Sequence, residues 1–199
     1  MKFGKLSPEE LDRIDFSLPP DHFENELVLG GSPSKRFELY LGCSRWGVKE
    51  WVGPVYPKGT KAAAFLQEYA KLFNSIELSP THYRIPAPDQ VEKWAGRVSG
   101  SFRFCPKVYQ AISHWDRLND TRGTTERFCE SVSHFGKKLG PSFLQMHPSF
   151  KYNSFETLEH YLIHWPKEIS LALELRDAAW FQNPQIADRL FHLLKETHT

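Results

Sequence analysis

The sequence predicts an α/β fold of parallel strands, TIM-barrel-like in character, and three observations predict it. Five short strand-like segments alternate with helix-like segments. Each of the later four strands carries one apolar face and one face bearing charge or amide. The loops after the strands are long and rich in polar and aromatic residues. Intervening helices make the strands parallel, and a parallel sheet normally hides both faces behind apolar helices. A charged inner row therefore favours a barrel over a doubly wound sheet, because buried unpaired charge costs several kcal/mol. Such a barrel takes about 250 residues, so the 199-residue chain is expected to be C-terminally incomplete, with about five βα units.

Residues 1–35 read as an N-terminal arm lying on the outside, and residues 36–199 as the main domain. In the arm, "SPEELDRIDF" has the pattern of a capped helix, with Ser7 at the cap, Pro8 at the first helical position and Glu10 three residues on. "SLPPDHFENELVLGGSPSKR" follows as a Pro/Gly-punctuated loop. Strand one is expected at Phe37–Gly42. It leads through "CSRWGVKEWVGPVYPKG" into a helix capped by Thr60. Strand two, Ser75–Ser79, sets Ile76 and Leu78 against Glu77 and Ser79. Strand three, Phe102–Lys107, sets Phe102 and Phe104 against Arg103 and Lys107. Strand four, Ser142–Met146, sets Leu144 and Met146 against Gln145 and the following His147. Strand five, Leu171–Arg176, sets Leu171, Leu173 and Leu175 against Glu174 and Arg176. The segments "DQVEKWAGRV", "TTERFCESVSHFGKKL", "SFETLEHYLIHW" and "PQIADRLFHLLKE" supply the remaining helices.

Composition narrows the function classes. Hydrophobic residues make up 40% of the chain, enough for a substantial core. Lys and Arg number 25 against 24 for Asp and Glu, a net charge of +1, which argues against nucleic-acid binding by bulk electrostatics. No apolar run approaches the roughly 20 residues of a membrane span, and the first residues lack an apolar signal core. The three cysteines, Cys43, Cys105 and Cys129, match no disulfide or zinc framework. Reduced thiols and a cytoplasmic location are expected.

The loops carry a resemblance. "LGCSRWGVKEWVGPVYP" resembles the opening G-x-S-x-W…W-x-G-x-x-YP pattern of the DUF72 (YecE-like) family. The blocks "EYAKLFNSIELSPTHYRIP", "VEKWAGRVSGSFRFCPKVYQAISH", "FLQMHPSF" and "LALELRDAAWF" continue it in the family's order, over residues 39–181. The resemblance implies a TIM-barrel-like fold of about 250 residues, with no assigned reaction. Family members commonly carry Asn where Ser79 stands, Phe where His82 stands and a Pro pair where His147 and Pro148 stand. They also continue past the position of Thr199, so the chain is expected to be shortened relative to the family.

The candidate site is the polar row, which is expected to line a polar, aromatic-rimmed pocket at the C-terminal ends of the strands. Glu77 and Glu174 can serve as a carboxylate pair for acid/base work, or as a hard divalent-metal site, though no metal motif supports the latter. The alternative is an ion-pair network, Glu77 with Lys107 or Arg103 and Glu174 with Arg176. Lys107 and Arg176 can hold an anion, and Gln145 sits on the same face. His114 suits proton transfer, and His82 and His147 are weaker candidates of the same kind. Trp46, Trp51, Tyr56, Tyr83, Trp115 and Trp180 follow strand ends; Trp46 and Tyr83 are the ring-stacking candidates. The expected function is enzymatic, a hydrolase or isomerase acting on a small-molecule ligand such as a sugar or phosphate ester, without a cofactor. A non-catalytic binding module, for nucleic acid through the aromatic loops, is the second reading. Five strands without closure also leave open sheet edges, so self-association through them is expected.

Overall fold

The computed structural model describes residues 7–15, 17, 20, 30–32 and 37–199. Contacts divide the chain into two units, Met1–Glu38 and Leu39–Thr199. In the first, helix α1 (Pro8–Leu11) is shorter than its periodicity suggests, but its capping box forms. The Ser7 N–H donates to Glu10 Oε2 at 2.8 Å and the Glu10 N–H to Ser7 Oγ at 3.3 Å. Most of the expected loop over residues 17–36 lies outside the described residues.

The second unit alternates parallel strands with helices. Its strands are β1 (Gly42–Cys43), β2 (Ser75–Leu78), β3 (Arg103–Pro106), β4 (Ser142–Gln145) and β5 (Leu171–Glu174). β1, β2 and β3 form one parallel sheet in that order, and β4 and β5 form a parallel pair. Parallel bridges, Phe104 with Leu139 and Lys107 with Phe143, join β3 to the β4 side. Among the described residues the strands do not close into a barrel.

The helices between them are α2 (Phe65–Leu72), α3 (Pro80–Tyr83), α4 (Pro88–Ala95), α5 (Arg122–Ser133), α6 (Phe155–Ile163), α7 (Ala179–Gln182) and α8 (Pro184–Thr197). α8 is capped by Asn183, whose side chain accepts from the N–H groups of Gln185 and Ile186. Thr60 caps nothing. Its hydroxyl turns back to donate to Pro57 O at 2.7 Å, and α2 begins only at Phe65, after a 3-10 turn over Ala62–Ala64.

The alternation of strands two to five places their apolar residues as expected. Leu78, Phe104, Leu144 and Met146 are fully buried (0% exposed), as part of one core with Val91, Phe128, Leu158 and Trp180. Each such side chain contributes about 1.5–3 kcal/mol by leaving water. The opposite parity carries Glu77, Cys105, Lys107, Phe143, Gln145 and Glu174, paired in register as Glu77 with Cys105, Lys107 with Phe143, and Gln145 with Glu174.

Strand one departs from expectation. Only Gly42 and Cys43 are in the ladder, and Phe37, Leu39 and Leu41 are exposed. The Asn74 side chain accepts from the Leu41 N–H at 2.7 Å and donates to Leu39 O at 2.7 Å. A side chain thus satisfies groups that a neighbouring strand would have taken, and the ladder starts later than the apolar alternation implies. At Gly42 the strands approach so closely that a Cβ would lie 2.0 Å from Ser75 O. Beside it the buried Tyr69 hydroxyl accepts from the Cys43 N–H at 2.6 Å and donates to Ser75 O at 2.9 Å, tying β1 to β2.

Candidate functional site

All five strands are parallel, so the loops after them leave one end of the sheet. There the polar row assembles into a chain of contacts across three strands. Lys107 Nζ donates to Gln145 Oε1 at 2.7 Å. Gln145 Nε2 donates to Glu174 Oε2 at 2.7 Å. Arg176 Nε donates to Glu174 Oε1 at 2.8 Å. Each terminal atom of the Gln145 amide is taken, so its orientation is fixed by both neighbours. Burial works against the Glu174 carboxylate, but the bonds from Gln145 and Arg176 outweigh it and hold its carboxyl below the usual range. The Lys107 ammonium lies over the Phe143 ring, 5.7 Å from its centroid. Burial lowers its pKa, and Glu77 opposes that shift. Glu77 is exposed and its Oε1 accepts from Ser79 Oγ at 3.3 Å.

A row of histidines runs alongside. The rings of His82 and His114 are 4.8 Å apart and those of His114 and His147 are 5.5 Å apart, each pair edge to face. They come from three consecutive strand ends. His82 sits in α3, His114 in a π-helical turn over Ala111–Trp115, and His147 in the loop after β4. A π-turn is a rare local geometry that recurs at functional sites. Here it is followed by three non-glycine residues with left-handed backbone, Arg117, Leu118 and Asp120. The buried Leu118 side chain and its N–H bond to Ile112 O at 2.9 Å hold that segment in place. The loop carrying His147 is held from below, where Phe150 stacks on the buried Trp180 and accepts its indole N–H at 2.9 Å.

The hydrogen bonds fix the ring tautomers. His82 Nδ1 faces Val108 O at 2.8 Å, and a carbonyl only accepts, so Nδ1 carries the proton. Ser113 is fully buried and its hydroxyl has His114 Nδ1, at 2.8 Å, as its partner. Buried away from water, that hydroxyl satisfies its own proton only by donating to Nδ1, an arrangement that leaves the neutral ring's proton on Nε2. His147 Nδ1 accepts from the Ser149 N–H at 3.1 Å, with Ser149 Oγ at 2.7 Å. Burial, then His82, His147, Lys107 and Arg176, push the His114 pKa down to about 4, so the ring is neutral at pH 7. Burial lowers His82 as well, against the bond to Val108 and with Lys107 adding to the drop.

The structure thus brings Glu77, Lys107, His114, Gln145, Glu174 and Arg176 to one end of one face. This face is open. Glu77, Glu174 and Arg176 are exposed, and the row lines none of three cavities of about 310, 350 and 450 Å³ found elsewhere on the second unit. Tyr83 stands at the edge of the histidine row, exposed, with its ring 5.3 Å from that of His82. Trp46 does not join them. It packs edge to face on Trp94 at 5.7 Å, and the Tyr56 hydroxyl donates to its carbonyl. Tyr56 and Trp180 are core residues, Trp51 packs on Tyr56 and Tyr69, and Trp115 is exposed beside Tyr109. Among the described residues no group of three or more His, Cys, Asp or Glu is placed to hold a metal ion. The sequence reading gave no role to Ser113 or Ser149, which set the tautomers; the adjacent pair Ser113-His114 and the His147-x-Ser149 spacing are the signals that mark them.

Residues 40–199 match the family described as "Protein of unknown function DUF72". The chain belongs to the DUF72 family. It is similar to UPF0759 protein YecE of Escherichia coli (strain K12), 29% identical over 143 residues, covering 72% of this chain and 50% of the relative. It is also similar to UPF0759 protein YunF of Bacillus subtilis (strain 168), 27% identical over 156 residues and covering 53% of that protein. The chain therefore spans about half the length of these relatives. Among solved structures, a DUF72 family protein of Enterococcus faecalis V583 superposes with a TM-score of 0.60 at 25% identity, covering 79% of this chain and 59% of that one. One from Thermotoga maritima MSB8 does so at 0.63 and 24%, covering 80% and 62%, and supports the fold alone. The mixed α/β architecture with parallel strands is thus shared with DUF72 structures.

Proposed function

We propose that the DUF72 chain forms part of a TIM-barrel-like enzyme whose polar strand-end face performs proton-transfer chemistry on a small polar or anionic ligand, such as a sugar or phosphate ester. The observation that carries this reading is the His114 ring, its Nδ1 held by Ser113 Oγ, beside the Lys107–Gln145–Glu174–Arg176 chain. A neutral imidazole donates to a carbonyl or phosphoryl oxygen as charge develops there, without delivering its proton prematurely. Lys107 and Arg176 favour an anionic group nearby. Glu77, whose carboxylate accepts from Ser79 Oγ and acts electrostatically on Lys107, is the base, and Glu174 holds the chain in register. Isomerisation and hydrolysis both use such a set. Three free cysteines suit a reducing, cytoplasmic setting, and no described helix is long and apolar enough to cross a membrane.

The test is a panel of sugars, sugar phosphates and phosphate monoesters followed by NMR for isomerisation and hydrolysis. Turnover that Glu77→Gln and His114→Gln each reduce by about 10²-fold or more, with unchanged melting, supports the reading. Turnover indifferent to both substitutions sinks it. Salt-sensitive binding of single-stranded oligonucleotide without turnover favours the binding-module reading instead, through the exposed Tyr83 and Trp115.

A further inference from the structure

We propose that the row of His82, His114 and His147 is a proton-coupled anion subsite, which takes up a tetrahedral dianion together with a proton from solvent. The inference rests on the functional reading above, that this face receives the ligand, and it adds the ligand's charge class and its coupling to pH.

Two observations carry it. The first is how the ring nitrogens are used. In all three rings Nδ1 is engaged by the protein, by Val108 O, by Ser113 Oγ and by Ser149. Nε2 is therefore the nitrogen without a protein hydrogen bond in each among the described residues, with the His82 ring itself buried at 6% exposure. On neutral His114 and His147 that atom carries a proton, while on neutral His82 it carries a lone pair. Two donors and one acceptor do not suit an anion. One added proton, at His82 Nε2, makes three donors.

The second is the charge count around the row. His82 shares its segment with Glu77 and Tyr83, β3 ends at Lys107, the π-turn brings only His114, the loop after β4 brings His147, and β5 ends at Glu174 and Arg176. The charged groups that act on the histidines are cations, Lys107 on His82 and Lys107 with Arg176 on His114, while Glu77 and Glu174 act on Lys107. Burial keeps the His82 and His114 rings neutral, and Lys107 adds to it at both, so an anion placed among them offsets the electrostatic part of that penalty. Binding and protonation then help each other, since linkage is reciprocal. A tetrahedral oxyanion has acceptor oxygens enough for all three Nε2 edges. The neighbouring cations would favour the same group.

The test uses sulfate on the whole chain, because sulfate stays a dianion across the range and any proton taken up belongs to the protein. Calorimetric titration between about pH 8 and about pH 5.5, in two buffers of different ionisation enthalpy, reads affinity and protons bound together. Affinity is expected to rise about tenfold over that range, with proton uptake averaging about 0.4 per sulfate and growing toward the acidic end, and histidine C2 resonances moving on binding. His82→Asn, whose amide can still donate to Val108 O, should lower the acidic-side affinity about tenfold and abolish the proton uptake. Inorganic phosphate and methyl phosphate run beside it distinguish a free-anion site, which takes the first alone, from one that reads a phosphoryl ester, which takes both. Sulfate binding with no proton uptake and a flat pH profile overturns the inference while leaving the proposed chemistry intact. No sulfate binding at any pH overturns it too, and the turnover panel then decides the proposed chemistry independently.

Discussion

The side chains of Glu174 and Arg176 are 46% and 44% exposed, and that exposure sets what their pair is worth. A fully buried pair broken on one side loses about 3–5 kcal/mol, whereas an exposed pair is worth about 0–1 kcal/mol. Glu174→Gln should therefore cost less than about 1 kcal/mol in equilibrium unfolding, while disordering Gln145 and Lys107 at the site. A larger loss in urea titration would mean the pair is structural first. His114 has a pH signature of its own. Its folded pKa, about 4, lies below the 6.5 of a free histidine, so its contribution to stability is complete above about pH 6.5 and is lost as pH falls toward 4. Because the ring is part-exposed, the loss is on the order of 1–2 kcal/mol. His114→Gln should flatten that part of the melting-temperature profile; an unchanged slope would place the acid sensitivity elsewhere.

Strands and turns show where local sequence suffices. The alternation in "SIELS", "SFLQMH" and "LALELR" placed Leu78, Leu144, Met146 and Glu174 on the correct faces, because a strand between neighbours has no freedom of parity. "FELYLG" shows equal alternation yet is mostly unladdered, since Asn74, more than thirty residues away, supplies the bonds. The polar row was legible as a set of residues. The histidine row was not, because His82, His114 and His147 meet only when three separate loops fold over adjacent strands. The π-turn and its left-handed exit leave no pattern in "AISHWDRLND", which contains no glycine. Two substitutions test these elements. Gly42→Ala forces a Cβ into Ser75 O, and should cost about 2–4 kcal/mol or break the β1–β2 ladder. Retained stability would show that β1 can shift without loss. Arg117→Gly, at φ 49° on the surface, should stabilise by up to about 1 kcal/mol, because strain of about 1–2 kcal/mol is relieved at an entropic cost of about 0.5–1. A destabilised variant would mean the Arg117 side chain contributes contacts that outweigh its backbone strain.

At the scale of the second unit, the question is what its sheet edges do. β5 pairs only with β4 among the described residues, and β1 pairs only with β2. The apolar side of β5 is covered, since Leu171 is buried, yet Ala172 and Glu174 are exposed on its open side. Beyond the other edge, Leu39 and Leu41 are 70% and 61% exposed along an extended segment. Unpaired strand edges flanked by apolar residues template pairing with another chain, and charge placed on them prevents it. The purified 199-residue chain should therefore self-associate, with a sedimentation coefficient that rises with concentration over the micromolar range. Leu39→Lys with Leu41→Lys should shift it toward monomer without lowering its melting temperature, because both side chains already lie in water. If association instead survived these charges and yielded to a lysine at Ala172, the β5 edge would be the contact. A wild-type chain that sediments as a monomer at every concentration, with a cooperative melt, would mean that these edges are satisfied within one molecule, and the self-association reading would fall.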